Sequence, residues 1–302
     1  MRARALGLSI FLLGSAGLLA FLYEPVPRVA HPSSPSPPSR KLDFAAIDTS
    51  RADVSPPSPE VRPPTDVSFP KTEPVPPQPD HKKSDTLPRK SNGALSAPIF
   101  YSAPSADREI ALTFDDGPHP TITPKVLDEL RARNTKATFF VLGNRVKRYP
   151  WILQRIVAEG HEVGNHTWSH RFLANLSAES IEHEISETQN LIRQTTGVEC
   201  SLFRPPAGIL SAVAEKIIQK HNLSVILWSV DPGDWRARNT DRIYQSVIRH
   251  VQSGSIVVCH DIYPSTLRAL PRILETLSEK GYRFSTVSQL CGLPKPPAAT
   301  NP

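Results

Sequence analysis

The stretch Glu109-Ile110-Ala111-Leu112-Thr113-Phe114-Asp115-Asp116-Gly117-Pro118 decides how this chain folds. Ile110–Phe114 is a β-rich run that stops at two adjacent carboxylates and a Gly-Pro turn. In a continuing strand the side chains of Asp115 and Asp116 would point to opposite faces. A turn here can aim both at one place. One acid is then available to bind a metal while its neighbour stays free as a general base. For this motif alone the plainer reading, aspartates forming a turn ahead of a glycine, stays open.

Working outward, six further β-rich runs alternate with amphipathic helical stretches: Ala137–Val141, His161–Gly164, Ser201–Arg204, Val225–Val230, Ser255–Cys259 and Tyr282–Thr286. The helices have readable ends. Pro124 lies in a first turn, Ser177 caps the stretch with Ile181 and Ile185, and Gly160 and Gly281 close two others. Such alternation predicts an α/β fold, a barrel or near-barrel of about seven parallel strands wrapped by helices. Chemistry is expected where the strands end.

The polar clusters fall there. His166-Thr167-Trp168-Ser169-His170 sets two imidazoles at i and i+4, which on a helical turn share a face and can share a metal; surface or core histidines are the alternative. Phe203-Arg204-Pro205-Pro206-Ala207-Gly208 presents a rigid cation able to fix a carboxylate, followed by a backbone N–H at Ala207 that could face an oxyanion. Asp231-Pro232-Gly233-Asp234-Trp235 adds two acids and an aromatic plate on which a sugar could stack, though a tryptophan often serves the core. In Val258-Cys259-His260-Asp261 alternation puts Val258 and His260 on one side and Cys259 among the helices, a buried thiol. His119 and His161 lie close to these motifs and are expected to serve structure. On parallel strands, Asp115, Asp116, His166, His170, Arg204, Asp231, Asp234 and His260 converge on one rim, which is hydrolase chemistry.

Taken in order, TFDDGP at Thr113–Pro118, HTWSH at His166–His170, RPPAG at Arg204–Gly208, DPGDW at Asp231–Trp235 and VCH at Val258–His260 resemble the motifs of the polysaccharide deacetylases, carbohydrate esterase family 4. This family is also named for homology to the nodulation chitooligosaccharide deacetylase, and the match runs from Glu109 to Gln289. The resemblance implies a distorted (β/α) barrel and a divalent metal, zinc with cobalt or nickel able to substitute, held by Asp116, His166 and His170. It makes Asp115 the base, oriented by Arg204, and His260 the acid, kept cationic by Asp231. Ala207 would bind substrate through its N–H, while Trp235 and Val258 would wall an acetyl-methyl pocket. The chain departs from the family at Ala207, where an aromatic is usual, and at Val258, where leucine is preferred.

The rest of the sequence bears on location. Of 302 residues, 32 are proline, and 18 of these lie between Glu24 and Pro98, where apolar residues are sparse. Residues 24–98 are therefore expected to be a disordered linker, 99–293 the catalytic domain and 294–302 a disordered tail. Arg2 and Arg4 precede an uncharged run from Ala5 to Tyr23, about 28 Å long as a helix. Residues 1–23 read as a signal anchor or signal peptide that puts the remainder outside the membrane. Bulky Leu18, Leu19, Phe21, Leu22 and Tyr23 at the positions a cleavage site would occupy favour the anchor. The net charge of +6 is scattered, with no basic block interleaved with aromatics, which argues against a nucleic-acid partner. Cys200, Cys259 and Cys291 are too few for a disulfide scaffold, with a Cys200–Cys291 bridge left open. The expected activity is removal of N-acetyl groups from N-acetylglucosamine in an extracytoplasmic polysaccharide, peptidoglycan first. Chitooligosaccharide, poly-N-acetylglucosamine or O-acetylated xylan are alternative substrates, and a silent carbohydrate-binding module is the alternative function.

Overall fold

The computed structural model describes residues 97–104 and 107–294. The apolar segment 1–23, the Pro-rich stretch up to 96 and the tail from 295 lie outside the described residues. Among the described residues no helix is long and apolar enough to cross a membrane. Ala97 is buried and the Pro98 carbonyl accepts the Val225 N–H at 2.8 Å, so the folded unit takes in two residues ahead of Ile99.

The strands are β1 (Ile99–Phe100), β2 (Glu109–Asp115), β3 (Thr138–Val141), β4 (Glu162–Asn165), β5 (Leu202–Phe203), β6 (Ser224–Ile226), β7 (Ile256–His260) and β8 (Arg283–Ser285). All pairings between them are parallel, in the order β1-β6-β5-β4-β3-β2-β7, with β8 on β2. Ala111 pairs with Ile256 of β7 and with Ser285 of β8, so these strands flank β2 on opposite sides. Single bridges from Val230 to Val257 and from Ser102 to Ser255 lace the two ends together. The result is the expected distorted barrel, with one loose seam.

All seven expected strands occur, mostly shortened, and β1 is additional. The run expected through Val230 ends as a strand at Ile226 because the Arg204 Nε and Nη2 groups take the Ile226 and Leu227 carbonyls, acceptors a longer ladder would use. Between the strands come α1 (Thr123–Ala132), α2 (Gly143–Arg148), α3 (Pro150–Ala158), α4 (Ala178–Thr196), α5 (Ala212–Lys220), α6 (Asp234–Ala237), α7 (Thr240–His250), α8 (Pro264–Glu279) and α9 (Val287–Cys291). Ser177 Oγ accepts the Ser180 N–H at the start of α4, a cap worth about 1 kcal/mol. Pro124 and left-handed Gly160 and Gly281 sit where their helices begin or end.

Strand alternation divides the core. Ile110, Leu112 and Phe114 of β2 and Val257 and Cys259 of β7 join a cluster with α1, α3, α7 and α8. Ala111 of β2, Phe140 of β3 and Ile256 and Val258 of β7 belong to a second cluster with Phe203 and Trp228. Helix α8 buries Ala269, Leu270, Ile273, Leu274 and Leu277, and each large apolar side chain so buried contributes about 1.5–3 kcal/mol. The three cysteines are free thiols, and Cys200 Sγ donates to the Val163 and Leu202 carbonyls rather than bridging Cys291.

His161, just before β4, serves structure as expected: its Nδ1 accepts the Ala137 N–H at 3.2 Å. Burial, aided by Lys136, pushes its pKa down to about 4. The folded state holds it neutral while the unfolded chain takes up a proton below about 6.5, so this contribution to stability is lost as pH falls from about 6.5 through 4. Urea denaturation of the metal-free protein should show a midpoint falling across that window, and His161→Asn, which keeps an acceptor for Ala137, should flatten the fall.

Candidate metal centre and active site

Strand β2 delivers Asp115 with Ala111 and Thr113 on its inward side. There Arg204, fully buried, donates from Nη1 to Asp115 Oδ1 at 2.7 Å and to Thr113 Oγ1 at 2.7 Å. Its Nε and Nη2 hold the Ile226 and Leu227 carbonyls at 3.0 and 3.1 Å, and its guanidinium lies 4.0 Å from the Phe140 ring centroid. Thr113 Oγ1 in turn donates to the Val257 carbonyl at 2.8 Å. Asp115 is thus fixed through one oxygen, and Oδ2 faces His166 Nε2 at 3.9 Å.

The next residue leaves the strand in a left-handed conformation, φ 72° at Asp116. This backbone turn brings two consecutive carboxylates to one site. Asp116 Oδ1 lies 3.6 Å from His166 Nε2 and 3.4 Å from His170 Nε2. One ligand atom from each of the three residues lies within 4.8 Å of the others. Asp116 Oδ1 is buried with no hydrogen-bond partner, a cost that a cation at this point would remove. Burial raises the Asp116 pKa, but the charges of His170, His260, His166 and Arg145 outweigh it and hold the carboxyl below its usual value. His166 donates its Nδ1–H to the Arg204 carbonyl at 2.7 Å, and burial pushes its pKa down to about 4. A neutral ring with Nε2 left free is the ligating form. Chemically, this donor set fits a divalent cation. The His170 side chain is 36% exposed, so the site opens to solvent on that side.

The two histidines do not sit on a helical turn as the spacing suggested. They occupy a loop with left-handed Thr167 (φ 72°) and His170 (φ 63°). Six hydrogen bonds impose that shape. Asn165 Oδ1 accepts the Thr167 N–H at 2.8 Å, and Thr167 Oγ1 accepts the His170 N–H at 3.1 Å. Buried Glu184 of α4 accepts from the Ser169 N–H at 2.8 Å and from Ser169 Oγ at 2.5 Å. The N–H groups of Gly143 and Asn144, opening α2, donate to the Thr167 and Trp168 carbonyls at 3.0 Å each. A Cβ at Gly143 would collide with the Trp168 ring. Glu184 escaped the sequence reading although a signal existed: it stands on the buried stripe of α4 with Ile181, Ile185 and Thr188.

His260 faces Asp115 across the sheet, since the β2–β7 register pairs the two residues. Its partner is Asp234, not Asp231 as expected. Asp234, fully buried, accepts from His260 Nδ1 at 2.7 Å, the His260 N–H at 2.8 Å and Thr266 Oγ1 at 2.6 Å. Left-handed Gly233 starts α6 and turns Asp234 back toward β7. Asp231 instead closes its own turn, accepting from the Gly233 N–H at 2.7 Å and Trp235 Nε1 at 3.4 Å. Burial disfavours the His260 cation, but Asp234 above all, with Asp116 and Asp115, outweighs it and raises the pKa to about 10.

Val258 is buried on the His260 side of β7, as alternation requires. Trp235 is half-buried beside Asp231. Ala207 is left-handed at φ 54°, and the bonds that close its turn run from Gly208 to Pro205 and from Ile209 to Pro206, leaving the Ala207 N–H outside them.

The profile of the polysaccharide deacetylase family matches residues 102–226. A peptidoglycan-N-acetylglucosamine deacetylase of Bacillus cereus is 40% identical over 197 residues, covering 64% of this chain and 92% of its own length. The chain belongs to the polysaccharide deacetylase family. The peptidoglycan-N-acetylmuramic acid deacetylase PdaC of Bacillus subtilis is also 40% identical, over 65% of this chain, but the match spans only 41% of PdaC. Among solved structures, the peptidoglycan N-acetylglucosamine deacetylase Bc1960 superposes with a TM-score of 0.63 at 35% identity, over 65% of this chain and 94% of that one. A pseudoenzyme of the same family from Bacillus anthracis gives 0.62 at 30% identity, over 65% and 70%. Within the polysaccharide deacetylases, then, the fold does not guarantee activity, and function must be argued from side chains.

Glu184→Ala would remove the acceptor of two Ser169 donors and free the His170 loop. Divalent-cation affinity, measured by chelator competition, should drop about 10–100-fold. In metal-free protein the His260 cation stabilises the fold fully below pH 6.5, and that contribution is lost as pH rises through about 10. NMR titration of Asp234→Asn should show the His260 pKa falling steeply, with a flatter alkaline loss of stability.

Proposed function

We propose that this protein is a metal-dependent N-deacetylase of N-acetylglucosamine residues in peptidoglycan, working outside the cytoplasmic membrane. The observation that carries the reading is the in-register pair of Asp115 and His260 on adjacent strands, beside the Asp116–His166–His170 cluster. Zinc is the favoured ion for a site with one carboxylate and two imidazoles. When bound, such a cation polarises the acetyl carbonyl and makes water a better nucleophile at neutral pH.

The chain supplies the remaining groups. Asp115, held by Arg204 through Oδ1, presents Oδ2 to take the proton of the attacking water. The Ala207 N–H donates to the carbonyl oxygen as charge develops on it. His260, protonated and fixed through Nδ1 by Asp234, has Nε2 left to give a proton to the departing sugar amine. Acetate and a free amine result. Val258 and Trp235 wall the acetyl methyl, and Asp231 shapes the turn that presents Trp235. Peptidoglycan is favoured because the relatives at about 40% identity are named for it, and because the uncharged run Ala5–Tyr23 suits a membrane anchor beside the wall. The Pro-rich stretch 24–96 would then be the tether.

The existence of a pseudoenzyme among the structural neighbours keeps a silent glycan-binding module as the second reading. Full-length, zinc-loaded protein should release acetate from peptidoglycan fragments faster than from chitooligosaccharides or acetylxylan. Asp115→Asn should lower kcat by about 100-fold or more with zinc content unchanged. Glycan binding without acetate release from any of the three would establish the silent module instead.

A further inference from the structure

Beneath the turn that carries Asp116 lies a carboxyl that the chemistry above does not use. Asp261 follows His260 at the end of β7 and is fully buried. Its Oδ2 accepts from Thr123 Oγ1 at 2.5 Å, and its Oδ1 has no hydrogen-bond partner. Thr123, the first residue of α1, also accepts the His119 N–H at 2.7 Å, and its own N–H donates to the His119 carbonyl at 3.2 Å. The loop from Asp116 to Thr123 is therefore tied at its far end to the Asp261 carboxyl.

The near end is tied by contact. A Cβ at Gly117 would collide with both Asp261 oxygens and come within 2.8 Å of its Cγ, so the carboxyl fills the space a side chain at 117 would need. Its neighbour on the other side, Leu142, donates its N–H to the Gly117 carbonyl at 2.9 Å. Gly117 is clasped between β7 and the end of β3. Burial, with Thr123 and Arg145 opposing it and Asp116 adding to it, pushes the Asp261 pKa up to about 7. A neutral isostere is thus a fair mimic of its protonated form.

We infer that Asp261 is a positioning residue for the metal ligand Asp116: it holds both ends of the Asp116–Thr123 loop, one by packing against Gly117 and one through Thr123. It touches neither the substrate nor the cluster of ligand atoms. The inference rests on the reading of Asp116, His166 and His170 as a divalent-cation site.

Binding of Co2+ to the full-length protein, followed by its visible absorption and by calorimetry, tests this together with thermal unfolding of the metal-free state. Asp261→Ala should weaken Co2+ binding at least tenfold, whereas Asp261→Asn, which keeps an acceptor for Thr123, should stay within threefold of wild type. Gly117→Ala should weaken binding as well, because its methyl needs the space of the carboxyl. In Asp261→Ala/Gly117→Ala that space is free, and part of the affinity should return. Equal binding by Asp261→Ala and wild type, an Asn variant as weak as the Ala variant, or losses that simply add in the double variant would overturn the inference. Failure of the wild type to bind Co2+ would overturn the metal-site reading itself.

Discussion

A buried ion pair organises this molecule. Arg204 projects into the barrel with Asp115, Thr113 Oγ1 and two backbone carbonyls as acceptors, so four of its five N–H donors are paired inside the protein. Taking such a charge out of water costs several kcal/mol unless its partners are complete, and losing one partner of a buried pair costs about 3–5 kcal/mol. The pair therefore couples β2, β5, β6 and β7 in a way apolar packing alone would not. It also fixes one oxygen of Asp115 and frees the other, and through the Arg204 carbonyl it fixes the tautomer of His166. Structure and chemistry draw on the same residue.

What could be read from the sequence was what depends on local period. Alternation along Val258–His260 gave the shared face of Val258 and His260 and the burial of Cys259 among the helices. The five motif clusters gave the rim. Contacts that depend on a single positive φ were not legible. Nothing in Asp231-Pro232-Gly233-Asp234 says which acid reaches His260, because the choice is made by left-handed Gly233. Likewise the His166–His170 spacing fits a helical turn until Thr167 and His170 enter left-handed conformations. Supports from distant elements, Glu184 of α4 and Thr266 of α8, were missed because the sequence separations are 15 and 32 residues. Glu184 at least announced itself as an acid on an apolar stripe.

Of the seven non-glycine residues with positive φ among the described residues, four gather at the site. Asp116, Thr167, His170 and Ala207 all carry or border a functional group. Each such conformation costs on the order of 1 kcal/mol for a residue with a side chain. Hydrogen bonds and packing from the surrounding helices offset it, which is why polar residues such as Glu184 and Asn165 are buried there.

Because Asp115 and His260 stand opposite each other on hydrogen-bonded strands, the separation of the proposed base and the proposed acid follows the spacing of a β-sheet, about 4.8 Å between strands. Loops can lengthen, change charge or gain aromatics without altering that ruler. Divergence within such a scaffold is thus free to exchange one polymer for another at the rim, while on the proposed mechanism the bond that is cut must stay one whose two proton transfers fit a single inter-strand step.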